Sequence, residues 1–325
     1  MKILTTIAAA AAIALASQAR SAELPLPKDG WASWQVEAVE DAPAWCCWEN
    51  WGDDVANPKP CKLDDENRGF GSQDHAKTDA VRVYARFANG KLERLRTLAA
   101  ACPVEAKTPI QKLEGISNDD SARWLNGLAT RGEREQDALG SLAIHRGDVA
   151  LNAIKQIAQG ADAAEKRNHA VFWLALLRGD TGADIASQVL FNDKDAQVRK
   201  HAAFALSQSR SARVVPDLIK AGNTDANGEV RAHAWFSLSQ TRAPNIEQAI
   251  SAAVRNDADD HVREQAVFAL SQLPDERATR ALIAVAEDRS LGREQRKRAV
   301  FWLGQSKSDS AQAYLDKVLM GNIAK

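Results

Sequence analysis

The chain has 325 residues, of which 45% are hydrophobic and 26% are charged. These proportions are ordinary for a globular protein and exclude a disordered chain or a collagen-like fibre. The formal net charge of −1 excludes a strongly basic surface for phosphate groups, so we expect no nucleic-acid partner.

The N-terminus has the pattern of a secretory signal peptide. An early lysine precedes an apolar run over residues 3–16, and small residues follow. That run is shorter than the ~20 residues that cross a bilayer, and no later segment is longer or more apolar, so we expect no membrane span. We interpret residues 1–22 as a signal peptide cut near Ala19 to Ala22, which predicts a periplasmic or secreted protein.

Residues 23–107 predict a small β-containing module rich in tryptophan and cysteine. Apolar and polar side chains alternate over residues 81–87, and Asn89-Gly90 favours a type I′ turn into a second strand. A two-stranded hairpin is marginally stable alone, so residues 31–37 are the expected third strand.

All four cysteines lie in this module, at Cys46, Cys47, Cys61 and Cys102. An even, local set in an exported chain predicts two disulfides. A bond between the adjacent Cys46 and Cys47 would close a strained ring, so each is expected to pair with Cys61 or Cys102, in either combination. The adjacent pair also leaves a thiol-redox protein as an alternative function, although catalytic thiols are normally spaced as Cys-x-x-Cys.

From about residue 108 the apolar spacing becomes helical, first in a connecting segment at residues 108–130 and then in repeats over residues 131–325. The repeats share one register, marked by phenylalanines at intervals of 32, 32, 32 and 33 residues, with a fainter copy one period earlier. Each unit adds a second amphipathic stretch, as at residues 214–221, 246–254 and 278–286. A period of 32 is too short for three ordinary helices, so we predict about six helix pairs.

The segment Asp195-x-x-Val198-Arg199-x-x-Ala202-Ala203-x-Ala205-Leu206 and its copies resemble the second helix of HEAT-like repeats, as in bacterial HEAT and phycobilin-lyase-type proteins. The resemblance covers roughly residues 131–320. It implies a right-handed α-α superhelix whose second helices line a concave binding surface. The expected fold is therefore mainly α, with a disulfide-stapled β-containing module in front of a HEAT-like solenoid.

Positions that the resemblance places on the concave surface carry recurring residue types. An aromatic stripe beside amides predicts contact with a protein partner or extended peptide, because rings supply apolar area and amides satisfy backbone groups. Alternatively, the rings fill the crevice between neighbouring second helices, and the amides bond loop carbonyls of the next unit. The candidate residues are Phe172, Phe204, Phe236, Phe268 and Phe301, then Gln208, Gln240, Gln272 and Gln305, and His169, His201 and His233.

A further recurring set lies on the far flank of the second helices. Arg199 and Arg263 each follow an aspartate by four residues, namely Asp195 and Asp259, whereas Asn227 stands at that place before Arg231. The pattern predicts a structural ladder of ion pairs.

Three imidazoles one repeat apart, about 10 Å, do not converge on one ion, so we expect neither a metal nor a cofactor. HEAT-type metalloenzymes that bind iron use His-Glu pairs, and no histidine here precedes a glutamate. The sequence also lacks Gly-x-Ser-x-Gly, a phosphate-binding glycine loop and zinc-type Cys-x-x-Cys. We therefore predict a non-enzymatic exported scaffold or adaptor, with a chaperone-like or lyase-like helper for a cofactor-bearing protein as a further alternative.

Overall fold

The computed structural model describes residues 24–47, 60–65, 70–71, 76–161 and 163–321. The predicted signal peptide lies outside these ranges. Within them a small sheet module precedes thirteen α-helices. No helix in the described ranges is long and apolar enough to cross a membrane.

The module is built on a four-stranded sheet with the order β6-β5-β1-β8. The predicted hairpin is present as β5 and β6, and its turn places both Asn89 and Gly90 at positive φ, as a type I′ turn requires. The predicted third strand is β1, antiparallel to β5. The strands are β1 (Gly30–Glu37), β2 (Cys46–Cys47), β3 (Cys61–Lys62), β4 (Phe70–Gly71), β5 (Ala80–Ala88), β6 (Lys91–Ala99), β7 (Val104–Glu105) and β8 (Ile110–Lys112).

Strand β8 lies in the stretch for which the sequence predicts a helical connection. It pairs in parallel with β1, from Trp31 opposite Ile110 to Ser33 opposite Lys112. Three residues are too few to show a period of two, and the pairing depends on a partner about 80 residues away, so the local pattern carries no sign of it. The first helix begins only at Asn118, where the Ser117 hydroxyl accepts the Asp120 N–H at 3.1 Å.

Both faces of the sheet are buried. Trp34, Val83 and their neighbours face the helices, whereas Trp31, Tyr84 and Leu98 face the segments that carry the cysteines. Two disulfides tie these segments down, and they select one of the two pairings left open by the sequence: Cys46–Cys102 and Cys47–Cys61.

The helices form two layers, as helix pairs predict. The even-numbered helices from α4 to α12 pack closely side by side, whereas the odd-numbered helices from α3 onward barely touch one another. The odd-numbered layer is therefore convex and the even-numbered layer concave. The helices are α1 (Asn118–Arg131), α2 (Glu135–Ile144), α3 (Asp148–Gly160), α4 (Ala164–Leu177), α5 (Gly179–Asn192), α6 (Ala196–Ser207), α7 (Val214–Thr224), α8 (Gly228–Gln240), α9 (Glu247–Asn256), α10 (Asp260–Ser271), α11 (Asp275–Glu287), α12 (Arg293–Gln305) and α13 (Asp309–Leu319).

The core between the layers is made of small and branched apolar side chains. In α6, Val198, Ala202 and Leu206 are completely buried, and so are Ala186 and Leu190 of α5, the outer helix against which α6 packs. Alanine at the inner positions lets neighbouring helices approach closely, because its side chain adds little to the interaxial distance. This is the buried stripe expected from the helical spacing.

The module docks on the first helix pair through a buried chain of hydrogen bonds. The indole N–H of Trp34 donates to Ser121 Oγ at 2.8 Å, and Ser121 Oγ lies 2.8 Å from His145 Nε2. His145 Nδ1 lies 2.5 Å from the carbonyl oxygen of Ser141, which can only accept, so Nδ1 carries the proton and Nε2 accepts from Ser121. Burial lowers the pKa of His145 to about 4, so the ring is neutral. Module and solenoid therefore share one continuous core.

Candidate partner-binding groove

The five phenylalanines lie in one row along the concave layer, one on each of α4, α6, α8, α10 and α12, and we call them the Phe row. The rings of Phe172 and Phe204 stack with centroids 6.3 Å apart and planes 7° apart. Phe236 and Phe268 stack at 5.7 Å and 4°. These four rings are half-buried, and Phe301 at the end is 55% exposed. The rings therefore pack across neighbouring helices and also form part of the groove surface.

The glutamines form a second exposed row, the Gln row, at the C-terminal ends of the same helices. Gln208 Nε2 donates to Ser207 Oγ at 3.0 Å, and Ser207 Oγ donates to the carbonyl of Phe204 at 2.7 Å. The same three-residue arrangement recurs in α8 and α10. In these three helices the glutamine amides therefore bond serine hydroxyls of their own helix, and not loop carbonyls of the next unit. Each of these three glutamines retains an amide oxygen and one N–H for the groove.

The histidines line the opposite side of the Phe row. His201 is exposed, and His233 is half-buried against Phe236, with ring centroids 5.8 Å apart. Burial lowers the pKa of both imidazoles, and the positive charge of Lys200 lowers it further, so both are neutral at neutral pH. His169 is held by Glu135, with Nδ1 3.2 Å from Oε1. Within the described ranges no group of three potential ligands is placed to hold a metal ion.

Ionisable side chains beside the Phe row contact one another. Lys200 Nζ lies 3.5 Å from Glu229 Oε2, and Glu229 Oε1 lies 3.1 Å from His261 Nε2. Farther along, Arg298 Nη2 lies 2.7 Å from Glu264 Oε2. These contacts join successive inner helices, and each carboxylate of the set has a basic partner.

The module closes one end of the groove. Trp45 packs edge-to-face on Trp173 at 5.7 Å, and Trp173 packs on Phe172 at 5.3 Å. In α2, which has no phenylalanine in register, a side chain at Gly140 would lie 3.1 Å from the Trp173 ring. Residues 138–144 of this helix are all buried, so the open groove begins at α4.

Trp173 and Trp302 were not among the predicted site residues. The sequence did carry a signal, because Phe-Trp occurs only in the first and last Phe-row helices, at Phe172-Trp173 and Phe301-Trp302. Trp302 contacts Phe268 with centroids 5.0 Å apart, so it links the ends of the last two inner helices.

The predicted ion-pair ladder is present, but the partners differ from the prediction. Arg199 binds Asp225 of the next unit with both Nε and Nη2, at 2.8 and 2.9 Å, and donates from Nη1 to the carbonyl of Asp193 at 3.0 Å. Arg231 repeats the arrangement with Asp257 and the carbonyl of Asp225. Each of these arginines therefore ties the loop before its own helix to the loop before the next.

Asp195, Asn227 and Asp259 instead cap helices, as each side chain accepts a backbone N–H two residues on, at 2.8 to 2.9 Å. Arg167 with Asp193 is a further tie that the sequence reading missed. The signal was an aspartate 26 residues after each arginine, a spacing that joins neighbouring units and not one helix.

The family profile for HEAT repeats matches residues 151–239 and again residues 215–300. The helical part of this chain is a HEAT-repeat solenoid. This confirms the expected family and the expected fold class. A search of curated proteins finds no match.

Two solved structures resemble the HEAT solenoid. Human deoxyhypusine hydroxylase, solved in complex with glycerol, is 18% identical to this chain, with a TM-score of 0.34. The match covers 60% of this chain and 76% of the hydroxylase chain. YibA of Escherichia coli is 20% identical with a TM-score of 0.37, covering 61% and 76%. At these values the likenesses assign no activity, substrate or partner to this chain.

The prediction that the protein is not an enzyme is wrong as a conclusion from the sequence. One of the similar solved structures is a hydroxylase. The absence of known catalytic motifs from a sequence does not exclude catalysis, and the non-enzymatic assignment is withdrawn.

Proposed function

We propose that this HEAT solenoid is an exported scaffold or adaptor that binds a protein partner, through an extended segment, in the groove over α4 to α12. The observation that carries the proposal is the Phe row, which recurs on five successive inner helices and is half-buried or exposed, with the exposed Gln row beside it. Such a surface combines apolar area with amide donors and acceptors on rigid helices, which is what a peptide backbone with apolar side chains needs.

Several features support a binding role for the Phe row beyond core filling. The complete core beneath it is made by other residues, such as Val198 and Leu206, which are fully buried. Phe301 continues the row although more than half of its surface is exposed. Aromatic side chains that are partly buried before binding are typical anchors of interfaces, because they lose little conformational entropy on binding.

The test compares a groove variant with a matched control. Phe204, Phe236 and Phe268 are changed together to Ser in one variant, and three half-buried aliphatic residues of the outer helices are changed to Ser in the other: Val215, Ile219 and Ile283. Proteins cross-linked to each variant in the native envelope are identified by mass spectrometry.

We expect the groove variant to lose the partner that wild type and control retain, with unchanged circular dichroism and melting. Unfolding of the groove variant would show that the rings are core, and equal partner capture by all three proteins would place binding elsewhere.

Export is part of the proposal. It is supported by two disulfides, which persist in oxidising compartments. Cys47 and Cys61 are each 1% exposed, which favours a structural role over thiol exchange. Thiol counting on the denatured protein from the native host should give no free thiol before reduction and all four after it. Free thiols would favour the redox alternative, and a coloured ligand on purification would favour the helper alternative.

A further inference from the structure

Two pairs of neighbouring rings in the Phe row define a local pitch of the groove. The ring centroids are 6.3 Å apart in the pair Phe172–Phe204 and 5.7 Å apart in the pair Phe236–Phe268, although packed helix axes are ~8–10 Å apart, because the rings lie on the inner side of the curve. Two residues of a β-strand advance by about 6.4–6.8 Å. Within each stacked pair, the advance from one HEAT unit to the next is therefore close to that of one dipeptide of an extended chain.

The Gln row favours an extended chain over a helix. One helical turn, about 5.4 Å, would also fit the ring spacing, but a helix satisfies its backbone groups internally. In a strand, the N–H and C=O groups on one side recur every two residues and stay free to bond. Gln208, Gln240 and Gln272 each offer an amide oxygen and an N–H once per unit, and each side chain is tethered to its neighbouring serine. Such a recurring row of amides suits an extended backbone, whose free groups recur along one side.

The charges of the groove define the chemistry of the segment. Lys200, Glu229 and His261 are paired with each other, as are Glu264 and Arg298. A charged residue of the partner would be desolvated without gaining a free counter-charge, at a cost in binding free energy. An uncharged segment is therefore the complement of this groove.

We propose that the occupant is an extended, uncharged segment of another protein that advances two residues per HEAT unit along the two stacked pairs of the Phe row, with alternate side chains packed on their rings. Each stacked pair of rings then contacts about four residues. Because Trp45 and Trp173 close one end, a longer segment continues past Phe301 at the other. This inference rests on the proposed function, and it adds the register, conformation and charge of the partner.

The first experiment is a selection of random twelve-residue peptides on the full-length exported protein, with the triple Phe→Ser variant as counter-selection. We expect enriched peptides to be uncharged and to carry apolar residues at every second position. Apolar residues spaced by three and four would indicate a bound helix and overturn the register, while the proposed function would stand. If no peptide is enriched on the wild-type protein relative to the triple variant, both the register and the proposed function are overturned.

The second experiment uses the most enriched peptide and isothermal titration calorimetry. Two versions of the peptide are compared, one N-methylated on the backbone of its odd-numbered residues and the other on its even-numbered residues. One version should bind at least about tenfold more weakly than the unmodified peptide and the other should lose much less affinity, because only one side of the strand faces the Gln row. Changing Gln208, Gln240 and Gln272 to Ala should remove this difference between the two methylated peptides. Equal losses of affinity for the two methylated peptides would refute the extended register. Binding that weakens strongly between 50 and 500 mM salt would refute the uncharged character of the segment.

Discussion

Acid should weaken this protein through one buried histidine. His145 is completely buried where the module meets the solenoid, and its pKa is lowered by burial to about 4 from an ordinary 6.5. The folded protein therefore binds the proton of this ring less readily than the unfolded chain does. Stability is fully present above about pH 6.5, falls as the pH falls, and stops falling below about pH 4.

The size of the effect follows from the two pKa values. The difference between a pKa of 6.5 in the unfolded chain and about 4 in the folded protein corresponds to about 3 kcal/mol of stability, and the part lost between pH 7.5 and 5.0 is about 2 kcal/mol. Other groups also titrate in this range, so the quantity to measure is the difference between wild type and a variant that lacks the ring.

His145→Gln is the variant, and urea unfolding followed by circular dichroism is the assay. It should destabilise the protein at both pH values, since Ser121 loses a partner, but by about 2 kcal/mol less at pH 5.0 than at pH 7.5. The exposed His261→Gln serves as control and should keep the acid loss of wild type, because it leaves His145 in place. An equal cost of His145→Gln at both pH values would refute the burial argument.

Two further changes test the packing of the units. Arg231→Met removes a bidentate ion pair with the next unit and should lower the free energy of unfolding by about 3 kcal/mol, measured by thermal or urea unfolding. Arg255→Met, at an exposed ion pair, should lower it by at most about 1 kcal/mol. Equal losses would show that the Arg231 pair stabilises the protein no more than an exposed pair does. Gly222→Ala would place a Cβ 2.5 Å from the buried ring of Trp235 and should destabilise by about 1–3 kcal/mol, whereas Gly160→Ala, with open space around it, should be neutral or stabilising; unchanged stability of the first variant would show that the ring can move.

The sequence predicts what repeats along it. The helix pairs, the buried stripe of α6 and the positions of the Phe row follow from a period of 32 residues and from helical spacing, both of which are local. The hairpin was predictable for the same reason, since Asn89-Gly90 fixes its turn. What crosses between units or between module and solenoid was not predictable, because it depends on three-dimensional neighbours.

The errors have this common cause. Arg199 was assigned to the aspartate four residues before it, but the helix pair brings Asp225 of the next unit to its guanidinium. The docking chain from Trp34 to His145 joins residues that no local pattern connects. Closure of the groove by Trp45 likewise depends on where the module sits.

The contacts that fix the spacing of the units are separate from the side chains that line the groove. The groove can therefore stay rigid while the residues that line it are substituted. The loop-to-loop ties of Arg199 and Arg231 hold successive units at one spacing from the N-terminal ends of the inner helices. The burial of the acceptor carboxylate of Asp225 would by itself raise its pKa, but the hydrogen bonds from Arg199 and from a backbone N–H lower it, which keeps the tie charged at neutral pH.

Because these ties and the apolar core hold the unit spacing, the Phe row keeps its pitch without its own rings carrying the fold. A groove that is set in advance spends little binding free energy on ordering itself. It follows that breaking one tie should weaken the binding of a segment that spans that junction, although no contact residue has changed, while a segment that ends before the junction should bind as to wild type.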